Sequence, residues 1–356
     1  MLKRLFAIVL LLGSVCYGLD RQKINFPDIE GYKTLKCDFH MHTVISDGQV
    51  SPQVRVNEAW LEGLDAISIT DHIEYQPNKV YVSTELNRVY DMAKKAVGKK
   101  DLILIEGAEM THNKPKPWHF NCLFINDPEK FRDKNILEQA QECKKQGGLL
   151  IWNHPSWKGP ENGQWDKPIQ QLYELGLLHA IEAANGRHIQ PDGVEWAHTK
   201  GLAWMGCSDI HSPSGWIYPQ VPGHRTISLI LAKEKTAESI KEAMLARRTI
   251  AWANDMLLGP EKHLREMFNA AVKVGKAKST DKGLTFELTN NCDVPLKLKH
   301  GDNIIDVPAN GKVTVKTDKK ATAGKIELQY KLTNFIYAPE KSLDVKVVVE
   351  LDKAKA

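Results

Sequence analysis

The stretch Thr34-Leu35-Lys36-Cys37-Asp38-Phe39-His40-Met41-His42 is an apolar-rich, strand-like run that ends on two imidazoles one residue apart. A strand's two-residue period puts both rings on one face, so two nitrogen donors can reach one ion without a bend in the chain. A single His-X-His pair says little, because isolated histidines are common on surfaces and in cores. Here the pattern recurs. Asp47 lies in the following loop, Asp71-His72 closes Ala66-Ile67-Ser68-Ile69-Thr70, and Glu109 follows Leu102-Ile103-Leu104-Ile105. His154 follows Leu149-Leu150-Ile151-Trp152, and Asp209-Ile210-His211 follows the run 202–207. His119 is the exception, since it precedes the apolar run 120–125. In a parallel α/β barrel the C-terminal strand ends gather around one mouth, where residues distant in sequence become neighbours. Imidazole and carboxylate together at such a mouth suit Zn²⁺, Mn²⁺ or Fe²⁺.

Working outward, strand-like runs at 34–39, 65–70, 102–107, 120–125, 148–153, 178–184, 202–207, 226–231 and 249–253 alternate with helix-like stretches at 51–62, 83–97, 133–146, 168–175, 192–199 and 236–246. Ser51-Pro52 reads as a helix start with a capping serine, and Gly63 as its stop. The alternation predicts parallel strands with crossover helices, closed or nearly closed into a barrel over 33–255. From about residue 270 the period becomes two, as in Leu284-Thr285-Phe286-Glu287-Leu288 and Val345-Lys346-Val347-Val348-Val349, with turn signals such as Asn310-Gly311 between runs. That predicts a small antiparallel β-sandwich over 270–356, with 256–269 as connector. It carries no catalytic grouping and reads as a packing or attachment module that contacts another protein or a glycan.

The first residues predict an export signal over 1–18: Lys3-Arg4, then the apolar run Leu5–Leu12, then small residues to Gly18. Eight apolar residues are too few to span a bilayer, so no stable membrane insertion is expected once the signal is removed. Cys16 suggests lipid anchoring as an alternative, although Gly13-Ser14-Val15 departs from a bacterial lipobox. The chain's 48 basic and 44 acidic residues give +4; loss of Lys3 and Arg4 leaves 46 against 44, or +2. A balance so near neutral gives no reason to expect a nucleic-acid partner. Cys37, Cys122, Cys143, Cys207 and Cys292 show no CxxC spacing and do not form a dense disulfide framework, which leaves room for one bridge in an oxidising compartment.

His40-Met41-His42-Thr43 with Ser46-Asp47-Gly48, Thr70-Asp71-His72, Gly107-Ala108-Glu109, Asn153-His154-Pro155 and Ser208-Asp209-Ile210-His211 resemble the motifs of the PHP (polymerase and histidinol phosphatase) family. The closing segment Arg225-Thr226 through Ala246-Arg247-Arg248-Thr249 is similar as well, so the likeness spans roughly 33–255 and leaves out the β-sandwich. The resemblance implies a distorted (β/α)₇ barrel with two or three divalent ions (Zn, Mn or Fe). It implies a first ion on His40, His42, Glu109 and Asp209, a second on Glu109, His119 and His154, and a third on Asp47, His72 and His211. Asp47 stands where some members have histidine, and His112 competes with His119.

Close cations would acidify a bridging water to hydroxide and hold a phosphoryl group for in-line attack, with no covalent nucleophile. Asp71 reads either as a positioner of a ligand or as a strand-end cap. Arg187, Arg225, His188 and Lys158 are candidate anion binders in mouth-side loops, and Glu182 and Asn185 candidate pocket residues. Trp157, Trp165 and Trp216 could stack on a sugar or base, or pack. The expected function is hydrolysis of a small phosphorylated molecule by an exported, periplasmic or extracellular enzyme. Hydrolysis of an amide, carbamate or ester is one alternative; a non-catalytic extracytoplasmic binding protein is another.

Overall fold

The computed structural model describes residues 20–218, 224–320 and 324–351. The expected export signal and Cys16 lie outside the described residues. The barrel region runs β1 (Lys33–Asp38), α1 (Pro52–Leu61), β2 (Ala66–Ile69), α2 (Asn87–Val97), β3 (Ile103–His112), β4 (Trp118–Leu123), α3 (Ile136–Lys145), β5 (Leu149–Trp152), α4 (Lys167–Glu174), β6 (Leu178–Asn185), β7 (His188–Ile189), α5 (Pro191–Lys200), β8 (Ala203–Cys207), α6 (Ser214–Ile217), β9 (Ile227–Ala232), α7 (Ala237–Leu245) and β10 (Thr249–Ala253). It is an α/β fold built on a mixed sheet. The pairs β1–β2, β2–β3, β5–β6 and β6–β8 are parallel. β4 is antiparallel to both β3 and β5, and β9 to both β1 and β10.

The antiparallel β4 departs from the expected all-parallel alternation for a simple reason. Only residues 113–117 separate it from β3, and a parallel crossover needs a dozen or more. This also accounts for His119. Because β4 runs backwards, its first residues pair with the last residues of β3, Thr111 opposite His119, and so begin at the mouth where neighbouring strands end.

β8 does not complete a ladder with β9 and β10; side chains bridge the seam. Trp204 N donates to Thr249 Oγ1 at 2.9 Å, Gly206 N donates to Ser228 Oγ at 3.0 Å, and Ser228 Oγ donates to Gly206 O at 2.9 Å. At the mouth, His42 N donates to Ile210 O at 3.0 Å, which joins the segment after β1 to the segment after β8. Leu35, Cys37, Phe39, Ile105, Leu149, Ile151, Met205 and Cys207 share one core cluster. The five described cysteines are all buried and free.

Helix α1 starts at Pro52, but Ser51 makes no side-chain capping bond, so the start rests on the proline's preset φ. Gly63, at φ +89°, ends that turn where a Cβ would stand 2.6 Å from Gln22 O. Residues 256–269 comprise β11 (Met256–Leu258) and most of α8 (Glu261–Ala271), which buries Leu264, Met267, Phe268 and Ala271 on one face.

The C-terminal strands follow. β12 (Val272–Val274), β13 (Lys278–Thr280), β14 (Gly283–Asn290) and β17 (Lys312–Thr317) form one antiparallel sheet. β15 (Leu296–His300), β16 (Asn303–Val307), β18 (Lys325–Ala338) and β19 (Lys341–Glu350) form the other layer. β11 pairs in parallel with β18 and carries that layer on into the barrel sheet. Among the described residues no helix is long and apolar enough to cross a membrane.

Candidate metal centre

The ends of β1, β2, β3, β5 and β8 and the start of β4 bring the nine expected ligands together. His40 and His42 leave β1 fully buried. Their Nε2 atoms lie 3.2 and 3.1 Å from Asp209 Oδ1, and 3.5 and 3.4 Å from Glu109 Oε2. His119 Nδ1 is 3.2 Å and His154 Nε2 3.7 Å from the other oxygen of Glu109. Asp47 Oδ2 is 3.3 Å from His211 Nε2 and 3.6 Å from His72 Nε2. Glu109 thus sits at the centre, with its Oε2 also 2.7 Å from His72 Nδ1. His112, the competitor of His119, points elsewhere, its Nε2 2.7 Å from Gln139 Oε1.

The donor set fits a cluster of divalent cations. His40 Nε2, His42 Nε2, His119 Nδ1 and His154 Nδ1 are buried without a hydrogen-bond partner, a costly state for polar atoms that a cation relieves. Subsets of the nine also bring ligand atoms within 4.8 Å of one another: His40, His42 and Asp209; His40, Glu109 and His154; His72, Glu109 and His119; and His42, Asp47, His72 and His211.

Electrostatics follow from the packing. Burial opposes charge on His40, but Asp209, Glu182 and Glu109 outweigh it and hold its pKa well above the ordinary imidazole value. Burial, with His211 and His72 alongside, pushes His42 down to about 3. Against the same burial, Glu109 and Asp47 lift His72 to about 10. Burial works to raise Glu109 and Asp209, yet the surrounding imidazoles hold both well below the usual carboxylate range.

Residues behind the expected ligands set their orientation. Glu182, fully buried on β6, has Oε1 2.8 Å from His40 Nδ1, while its Oε2 accepts from His154 N at 2.7 Å and Asn185 Nδ2 at 2.8 Å. His40 Nδ1–H is held by Glu182, so the ring faces Glu109 and Asp209 through Nε2, the nitrogen that would bind a cation once its own proton is displaced. Asn153 Nδ2 donates to Glu109 Oε1 at 2.9 Å, and His72 Nδ1 lies 2.6 Å from Thr111 Oγ1. Sequence reading placed Glu182 in the pocket lining, whereas it lies behind His40. Its only signal was a lone carboxylate inside the apolar run of β6. Asp71 accepts from Thr43 N, Thr43 Oγ1 and Ser46 Oγ, each at 2.6 Å, and so braces the loop between His42 and Asp47. Gly48 closes that loop, where a Cβ would lie 2.6 Å from the His42 carbonyl carbon.

The expected anion binders separate. Arg225 is buried away from the cleft, its Nη1 3.1 Å from Asp38 Oδ2 and its Nε 2.6 Å from Glu62 Oε2. Arg187 is exposed over the Tyr218 ring and lines a second cavity of about 760 Å³ with His224 and Trp252. Neither lines the metal cleft, which encloses about 640 Å³ and carries Tyr75, Trp157 and Lys158 on its walls. Trp165 packs against Trp152, Tyr173 and Trp196, and Trp216 is exposed.

Comparison with known proteins agrees with this geometry. The model of a family of Ig-like domains (DUF5001) matches residues 272–348. A crystal structure from Bacteroides vulgatus, of a two-domain protein containing a predicted PHP-like metal-dependent phosphoesterase, is 38% identical with a TM-score of 0.86. The match covers 92% of this chain and 99% of that one. The chain belongs to this family of two-domain PHP-like metal-dependent phosphoesterases and is a metal-dependent hydrolase. An uncharacterised protein of Methanocaldococcus jannaschii is 39% identical over 84 residues, 23% of this chain and 36% of its own length. A lesion-specific endonuclease from Pyrococcus furiosus is more distant, at 14% identity and a TM-score of 0.44 over 70% of this chain and 63% of that one.

Proposed function

We propose that the protein hydrolyses a phosphomonoester of a small organic molecule, using two or three divalent ions held by His40, His42, Asp47, His72, Glu109, His119, His154, Asp209 and His211. The observation that carries this reading is the set of buried, unpartnered donor atoms converging on Glu109 and Asp209 at the floor of an open cleft. Divalent cations such as Zn²⁺, Mn²⁺ or Fe²⁺ supply Lewis acidity there, acidifying water and drawing charge from phosphoryl oxygens. The protein's own part is positional. Glu182 fixes the proton of His40, Asp71 holds the loop bearing His42 and Asp47, and Asn153 steadies Glu109.

The cleft's size favours a small molecule, and the family's phosphoesterase character supports a phosphorylated one. The amino-terminal residues support export, with the Ig-like domain presenting a surface to another protein or a glycan. The test is a panel of phosphomonoesters, phosphodiesters including DNA, and neutral aryl esters, assayed on protein reconstituted with Mn²⁺, Zn²⁺ or Fe²⁺. Preferential turnover of small phosphomonoesters is the expected result. Turnover of aryl esters alone, or ligand binding without turnover under every metal, overturns the reading.

A further inference from the structure

We infer that Lys158 is the residue that binds an anionic oxygen of the substrate's phosphoryl group, an inference that rests on the phosphomonoester reading above. Among the described residues it is the one lysine or arginine lining the metal cleft. The two arginines among the expected anion binders are occupied elsewhere: Arg225 is locked between Asp38 and Glu62, and Arg187 lies on the second cavity. A phosphoryl group approaching the cluster therefore meets Lys158 as the one lysine or arginine, among the described residues, on the cleft wall.

The backbone is built to hold Lys158 there. Its loop leaves β5 at His154 and turns sharply, with Trp157 N donating to His154 O at 2.8 Å and Gly159 N to Ser156 O at 3.1 Å. Ser156 is anchored in turn, its Oγ donating to Asp192 Oδ2 at 2.7 Å and its N to Gln190 Oε1 at 3.2 Å. Lys158 itself adopts φ +63°, left-handed backbone that side chains other than glycine rarely accept and that gathers at functional sites.

The ammonium is held in readiness and not neutralised. Among the described residues no carboxylate forms an ion pair with it; instead Nζ lies 3.9 Å from the centroid of the Trp157 ring. That indole is 5.2 Å from the imidazoles of both His119 and His154, so Trp157 links the resting place of the cation to the metal ligands. An exposed ammonium gains little from an indole face and more from a charge-assisted bond to a phosphoryl oxygen, so an arriving phosphate draws it off the ring. Neutral substrates gain nothing from Lys158, which makes it a determinant of anionic against uncharged esters.

The experiment compares wild type with K158Q, K158M and K158R, and with K145Q as a control on an exposed lysine that does not line the metal cleft. Each is loaded with Mn²⁺ and checked for equal metal content. Inorganic phosphate binding by calorimetry and the hydrolysis of p-nitrophenyl phosphate and p-nitrophenyl acetate are then measured. Losing one charge-assisted contact predicts that phosphate Kd and phosphomonoester KM rise about tenfold or more in K158Q and K158M, with kcat changing less. K158R stays near wild type, K145Q is unchanged, and any acetate turnover is unaffected. The two neutral variants guard against one failing to fold. A wild type that binds phosphate and cleaves phosphomonoesters while both neutral variants match it overturns the role of Lys158 alone. A wild type that neither binds phosphate nor cleaves phosphoesters removes the reading beneath it.

Discussion

Replacing Glu182 by glutamine tests whether the residues behind the cluster, and not only its ligands, set metal affinity. The side chain is fully buried and takes bonds from His40 Nδ1, His154 N and Asn185 Nδ2 at 2.8, 2.7 and 2.8 Å. Glutamine has the same shape but only one acceptor oxygen. Its amide nitrogen must then face either the His154 amide, donor against donor, or His40 Nδ1. In the second arrangement His40 accepts at Nδ1 and carries its proton on Nε2, the atom that points at Glu109 and Asp209. A charge-assisted hydrogen bond contributes about 1.5–3 kcal/mol, and each 1.36 kcal/mol is a factor of ten. E182Q is therefore expected to bind metal about 10- to 100-fold more weakly, the range found when partners of metal-bound histidines are removed. Competition against a chromogenic chelator measures this directly, and circular dichroism confirms the fold. Wild-type metal affinity in a folded E182Q would refute the claim that Glu182 orients His40.

Four further outcomes follow from the same geometry. His42→Ala or Asp209→Ala should each lower bound metal, measured by elemental analysis, and abolish hydrolysis while leaving the far-UV spectrum unchanged. Arg225→Met should destabilise the protein by about 3–5 kcal/mol in urea, because it strands the buried Asp38 and largely covered Glu62 carboxylates, and should leave KM of the folded fraction unchanged. Arg187→Ala, remote from the metal cleft, should alter neither phosphate binding nor KM. Glu106 gives a pH signature: burial, with Asp91 and Asp127 nearby, pushes its pKa up to about 7. Its folded form binds protons more tightly than its unfolded form, so stability is highest below the ordinary glutamate range and falls as pH rises toward 7. Glu106→Gln should recover on the order of 1 kcal/mol at pH 8 and nothing at pH 4, since the half-buried side chain is partly screened; thermal melts at both pH values decide it.

The sequence by itself determined which side chains gather at the candidate metal centre and the kind of scaffold that carries them. His40-X-His42, Asp71-His72, Glu109, His154 and Asp209-X-His211 were legible because strand ends are local features, and a polar donor at the close of an apolar run stands out without knowledge of its neighbours. The period-two runs after residue 270 announced the β-sandwich in the same way. Tertiary structure alone decided orientation and pairing. His119 looked misplaced until β4 proved to run antiparallel, a consequence of a five-residue loop too short for any crossover. Residues 256–269 read as a connector, yet β11 finds its partner in β18, some eighty residues on, a contact no local pattern encodes. Charge was the least legible property. Arg187, Arg225 and Lys158 look alike in a sequence, and only the fold, by burying one among carboxylates and turning another toward a different cavity, leaves Lys158 on the wall of the cleft that holds the expected metal ligands.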